Sequence, residues 1–205
     1  MRSQYLDKTK YNKLYSVMQY DNVLALRVAL ETGMRIGDVL ALRTSDLRAR
    51  TITYTAQKTG KSDRKVIDKQ LADELRRNSH NGYLFPGRSG KKPRTRQTVY
   101  TDLRKACDTL GVSEHITPHS TRKTMAVDYF HEHGLEATQA ALQHDRSDTT
   151  MLYAFADLLD KGGSWRKEPP SEKAAPSWDS IDAFARQVAR YVVDMLRECN
   201  LVVKK

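Results

Sequence analysis

The stretch 115–153, HITPHSTRKTMAVDYFHEHGLEATQAALQHDRSDTTMLY, constrains the fold most, because it reads as successive short helices with little chain between them. Pro118 suits the first position of a helix, where its missing N–H costs nothing and its fixed φ is already helical. Leu135, Ala140, Ala141 and Leu142 give the apolar spacing of a second helix, which His144 closes. Ser147 or Asp148 can cap a third helix carrying Tyr153. His119 and Arg122, three residues apart, share one helix face and aim at a common point suited to a phosphate-sized anion. Taken singly, each of these residues has an ordinary structural reading: a helix-start histidine, a solvated arginine, a histidine favoured by a helix C-terminus, a core tyrosine. Their conjunction with one upstream arginine points elsewhere.

That arginine is Arg35 in TGMRIGDVLALR, just beyond Gly33, at the joint between a helix ending near Glu31 and another starting near Ile36. Helix-start amides with a guanidinium beside them cradle a phosphate. Asp38 is placed to fix that guanidinium or to cap the helix. TITYTAQ and RKVID follow as two extended segments, with Ile52, Tyr54, Ala56, Val66 and Ile67 as their apolar residues. A Lys-Thr-Gly-Lys turn joins them into a hairpin with Lys58 near its tip.

Arg35, Lys58 in QKTGK, the H-x-x-R of TPHSTRKT and His144 with Tyr153 nine residues later stand in unbroken order over residues 5 to 158. In this the chain resembles the tyrosine recombinases, or phage integrases, which share their catalytic fold with type IB topoisomerases. The resemblance implies a catalytic set of Arg35, Lys58, His119, Arg122, His144 and Tyr153. Two positions depart from the family pattern: Gln143 replaces the usual Gly before the second histidine, and Lys123 rather than His follows Arg122. About thirty residues precede Arg35, where most relatives carry one or two DNA-binding domains. Either a stand-alone catalytic domain or a piece of a longer protein fits.

The chemistry of such a set can be argued directly. A phosphodiester under attack gathers charge on its non-bridging oxygens, and pre-placed cations stabilise it most. Arg35 and Arg122 supply them, with His144 as a hydrogen-bond donor. A free tyrosine is ionised only to about one part in a thousand at neutral pH, a deficit of roughly 4 kcal/mol. His119 is the candidate acceptor of the Tyr153 proton, and Lys58 the candidate acid for the leaving 5′ oxygen. The resemblance implies a 3′-phosphotyrosine product that conserves the phosphodiester energy without ATP, metal or other cofactor. The alternatives are a topoisomerase-like relaxing enzyme and a DNA-binding module that keeps the fold without the reaction.

Composition agrees with a double-stranded DNA partner: 35 Lys and Arg against 25 Asp and Glu give a net charge of +10. The charge is uneven. Arg88, Lys91, Lys92, Arg94, Arg96 and Arg104 crowd one stretch, interleaved with Thr98 and Tyr100, and are read as DNA contacts, the part from residue 95 to 110 as a loop followed by a helix laid on the duplex. Cys107 and Cys199 match no ligand spacing and fit free thiols in a reducing cytoplasm. His131 and His133 diverge on a helix, so no metal site is read there. No apolar run is long enough to span a bilayer, so no membrane partner is expected.

The expected fold is mostly α with a small antiparallel β-sheet (α+β), as a catalytic domain over residues 1–160. Helices are expected at 8–18, capped by Asp7, at 21–31 and at 71–78. Residues 161–177, rich in Gly, Pro, Ser, Lys and Glu, read as a linker. The helix expected within 178–205 carries Ile181, Ala185, Val188, Val192 and Met195 at alternating spacings of four and three. By the family resemblance that helix passes to a neighbouring protomer, implying a dimer or tetramer on DNA; packing back on its own body is the alternative.

Overall fold

The computed structural model describes residues 4–80 and 82–142. His144, Tyr153, the 161–177 segment and the 178–205 helix lie outside the described residues. In chain order the elements are α1 (Lys8–Tyr15), α2 (Tyr20–Thr32), α3 (Ile36–Ala41), a 3₁₀ turn (Thr44–Asp46), β1 (Leu47–Arg48), β2 (Thr51–Thr55), β3 (Ser62–Val66), α4 (Lys69–Asn78), α5 (Arg96–Thr109) and α6 (Pro118–Leu142).

Local side-chain caps fix several helix starts. Asp7 Oδ1 accepts from Thr9 N–H at 2.8 Å, Asp68 Oδ1 from Gln70 N–H at 2.7 Å, and Thr95 Oγ1 from Thr98 N–H at 3.1 Å. The first helix stops at Tyr15 instead of running on to Met18, because Ser16 turns its hydroxyl back to the Lys13 carbonyl at 2.7 Å. The last helix is two helices in series, broken at Gly134 with φ 80° and ψ −176°. This break separates the His119 helix from the one bearing Leu142.

The sheet has three antiparallel strands in the order β1-β2-β3. The sequence pattern shows two of them; β1 is too short to carry a period. Thr51 pairs with Val66 and Tyr54 with Asp63. This register overturns part of the expected alternation. Ile52, Ala56 and Ile67 enter the core, but Val66 is 63% exposed, and the half-buried face of β3 belongs to Asp63 and Lys65.

Helix α2 runs through the middle, with Leu24, Ala25, Leu26, Val28 and Ala29 all fully buried. Tyr11 and Leu14 pack on this core from α1, Leu71 and Leu75 from α4, Val99 and Leu103 from α5, and Phe85 from the loop between α4 and α5. A smaller cluster of Met125, Ala126 and Leu142 sits beside Gly33. Gly33 ends α2 in the left-handed region, φ 69°, with its N–H donating to Ala29 C=O at 3.0 Å. A Cβ on Gly33 would lie 2.8 Å from Met125 Sδ and 2.9 Å from Leu142 Cδ2. Gly33→Ala is therefore expected to lower stability by at least about 1–2 kcal/mol, the strain of the left-handed region plus repacking. The urea midpoint measures it, and an unchanged midpoint would contradict this account.

Candidate active site

Three joints of the chain meet at one cleft of about 330 Å³. The α2–α3 joint contributes Arg35, the β2–β3 turn Lys58, and the first turns of α6 His119 and Arg122. The structure thus brings together all four expected catalytic residues that it describes. Arg96, read from the sequence as one of the DNA contacts of the basic stretch, also lines this cleft from the first turn of α5.

Each side chain is positioned by its own local rule. Arg35 sits at the N-cap of α3 with extended backbone, φ −68° and ψ 139°, and its side chain is half-buried. Lys58 is exposed in a tight turn closed by Gly60 N–H to Ala56 C=O, 2.8 Å, with Gly60 at φ 68°. Asp38 does not fix the Arg35 guanidinium. It is 6% exposed and accepts the Gln57 N–H at 3.0 Å, pinning the base of the Lys58 turn to α3.

Arg122 is the most buried of the set, 4% exposed. Its Nη1 donates to the Gly33 carbonyl and its Nη2 to the Leu142 carbonyl at 2.5 Å. Two of its five N–H groups thereby tie the end of α2 to the end of α6 as described. A guanidinium stays charged whatever its burial, so a permanent cation is fixed at the cleft wall.

The field of these cations falls on His119. Although its side chain reaches solvent, its pKa is lowered to about 4, by desolvation first and then by the charges of Arg122, Lys123 and Arg35. At neutral pH the ring is neutral and able to accept a proton. Tyr54 on β2 lies in the same charge environment. Burial, with Asp63 and Asp38, pushes its hydroxyl up to about 12 against the opposing pull of Arg122 and Arg35.

The basic stretch divides in two. Arg88, Lys91 and Lys92 are exposed on a loop that returns on itself through Pro86 and Pro93, and Thr98 is exposed in the first turn of α5, where its N–H is capped by Thr95. Arg94 points inward to pair with Asp21 and donate to Asn22 Oδ1 at 3.1 Å, while Arg104 pairs with Asp108 at 3.3 Å and Tyr100 is half-buried. The sequence reading of Arg94 and Arg104 as DNA contacts did not include these intramolecular partners. Asp21 lies over seventy residues from Arg94, where no local pattern reveals it. His133 stacks on Tyr129 at 4.1 Å between centroids, and no group of three His, Cys, Asp or Glu among the described residues could hold a metal. No helix among the described residues is long and apolar enough to cross a membrane.

The profile of the phage integrase family matches residues 4–158. Among curated proteins, a probable integrase/recombinase YoeC of Bacillus subtilis is 25% identical over 134 residues, covering 62% of this chain and 74% of that one. The tyrosine recombinase XerC of a Roseiflexus species is 27% identical over 161 residues, covering 70% of this chain and 50% of its own. The chain thus spans about half the length of XerC, and 44% of a putative integrase/recombinase, y4qK, from Sinorhizobium fredii. Among solved structures, a lambda integrase tetramer bound to a Holliday junction superposes with a TM-score of 0.69 at 21% identity, covering 83% of this chain and 52% of that one. The XerA recombinase superposes at 0.65 and 20% identity, covering 82% and 67%. The fold is that of a tyrosine recombinase catalytic domain.

The charge at the cleft has a consequence for stability. The folded pKa of His119 lies below its ordinary value of 6.5, so between pH 6.5 and about 4 the unfolded chain binds the extra proton. Stability from this group is fully present above pH 6.5 and is lost as pH falls through that window. His119→Gln should flatten the slope of unfolding free energy against pH there, as read by urea denaturation at several pH values. An identical slope in the variant would show that His119 does not titrate as described.

Proposed function

Since the chain belongs to the phage integrase family, we propose that it is a site-specific DNA recombinase or integrase working through a 3′-phosphotyrosine intermediate on Tyr153. The observation that carries this reading is the convergence of Arg35, Lys58, His119 and Arg122 on one cleft. A scissile phosphate seated there meets fixed positive charge before the reaction begins, which is where the largest electrostatic stabilisation arises. Among the described residues Arg35 and Lys58 have no hydrogen-bond or ion-pair partner, so each is available to a phosphate and its leaving oxygen.

In this mechanism the Tyr153 oxygen attacks phosphorus and its proton passes to His119. The bond to the 5′ oxygen breaks, Lys58 protonates that oxygen, and His144 donates a hydrogen bond to a non-bridging oxygen. Attack by a different 5′ hydroxyl on the phosphotyrosine reverses the steps and completes strand transfer, with neither metal nor ATP consumed. A phosphate in the cleft would also offset the charge of Arg35 and Arg122 that holds His119 down, making the ring more basic when substrate is present. The desolvation part of that lowering would remain.

The partners in this reading are double-stranded DNA and other copies of the chain, paired as a dimer or tetramer on the DNA, in the cytoplasm. The lambda integrase relative is a tetramer on a Holliday junction. The basic loop bearing Arg88, Lys91 and Lys92, with Arg96 and Thr98 beside it, is the surface proposed to meet the DNA backbone. The 161–177 segment is proposed as a linker, and the 178–205 segment as the part exchanged between protomers.

The first test is covalent capture on nicked duplexes drawn from the neighbouring genome, with the adduct mapped to a peptide. Tyr153→Phe should abolish the adduct while DNA affinity stays near that of the parent protein. Arg35→Ala should slow capture by about a hundred- to a thousandfold. An adduct that survives Tyr153→Phe would remove the nucleophile assignment, and tight binding with no adduct on any duplex would favour a binding module. Deleting 178–205 should weaken assembly on DNA, measured by light scattering of the complexes. Assembly that does not change would count against exchange.

A further inference from the structure

Lys65 is a charged residue on the inward face of a strand, and its side chain is only 15% exposed. Its Nζ donates to the Ala141 carbonyl at 2.6 Å and pairs with Asp63 Oδ2 at 2.9 Å. The next carbonyl along, that of Leu142, is the one held by Arg122 Nη2. Two successive carbonyls in the last turn of α6 as described are therefore each gripped by a cation, one from the hairpin and one from the cleft wall. Leu142 is also packed tightly, 1% exposed and close against Gly33.

We propose that Lys65 is a positioning residue for strand transfer: by holding Ala141 to the hairpin that carries Lys58, it fixes the last described residues of α6, from which the chain continues to His144 and Tyr153. The proposal rests on the recombinase reading above. Three physical points support it. A charged donor on a backbone carbonyl makes a shorter and stronger hydrogen bond than a neutral donor would. A lysine so little exposed must gain such partners to be tolerated, since an unpaired charge there would be costly. The grip also joins two parts of the reaction, since His144 lies only three residues beyond Ala141 in the chain and Lys58 only seven before Lys65. A shift of the hairpin on meeting DNA would thereby pull on Ala141, and misplacement of a nucleophile by about 1 Å can cost about a hundredfold in rate.

The test compares Lys65→Met, which keeps the apolar stem without charge or donor, with Lys65→Arg, which keeps both. Capture is measured on ordinary DNA and on DNA with a 5′-bridging phosphorothiolate, whose sulfur leaves without a proton donor. Lys65→Met should lose between about ten- and a hundredfold in capture on both substrates, and Lys65→Arg should recover much of it. Lys58→Ala, in contrast, should be rescued by the phosphorothiolate. Hydrogen exchange at the amides of residues 139–150 should quicken several-fold in Lys65→Met, with DNA affinity and melting temperature near those of the parent.

Rescue of Lys65→Met by the phosphorothiolate would overturn the proposal, because Lys65 would then serve the proton donor. Parent-like capture together with parent-like exchange would overturn it as well. A melting temperature that falls in step with capture, with no recovery in Lys65→Arg, would leave Lys65 a fold-holding residue only. If the parent protein forms no adduct on any duplex, the recombinase reading fails, while the exchange comparison still decides whether Lys65 fixes the last described residues of α6.

Discussion

The described fold depends on one buried cation. Arg122 joins the carbonyl of Gly33, at the left-handed end of α2, to the carbonyl of Leu142, near the far end of the broken α6. Burying a guanidinium is costly unless its donors are satisfied, and here backbone carbonyls satisfy two of them. These two carbonyl partners are dipoles and carry no formal charge of their own. The cleft therefore acquires a fixed positive potential from the same side chain that closes the fold around it. The low pKa of His119 comes first from desolvation and then from the charges of Arg122, Lys123 and Arg35.

The hairpin is held to this clamp by charges that a hydrophobic-pattern reading places outside. Asp38 is buried on α3 and takes the Gln57 N–H, while Lys65 on β3 takes the Ala141 carbonyl. Both bonds are between a charged side chain and the backbone of another element. Such bonds are directional, so they define position more narrowly than apolar contact does, at the cost of desolvating an ion. The cleft is thus framed by polar bonds at its rim, while the apolar core is built around α2.

The basic stretch is divided by the partners its side chains find in the fold. Arg94 and Arg104 belong to it in sequence, but their guanidinium groups pair with Asp21 and Asp108. Arg94 also shares Asn22 with Asp102, forming a network that fastens the loop before α5 to the start of α2. Arg88, Lys91 and Lys92 keep their charges on the surface, and Arg96 turns towards the cleft.

What the sequence determined by itself was local and periodic. Asp7, Asp68 and Thr95 begin helices because their short side chains cap the following amides, Gly33 ends one because it alone tolerates the left-handed turn without strain, and the spacing of His119 and Arg122 puts both on one face. The chain order of Arg35, Lys58, His119 and Arg122 was equally legible, since it is a property of the chain and not of its packing. Tertiary structure decided the rest: that Arg96 joins the cleft, that Asp38 serves Gln57 and not Arg35, that Val66 faces water while Lys65 faces in. Each of these turns on a partner that is distant in sequence or on a strand register. A side chain of two residues' period has no preferred face until a neighbouring strand and helix supply one, so only the assembled fold could choose.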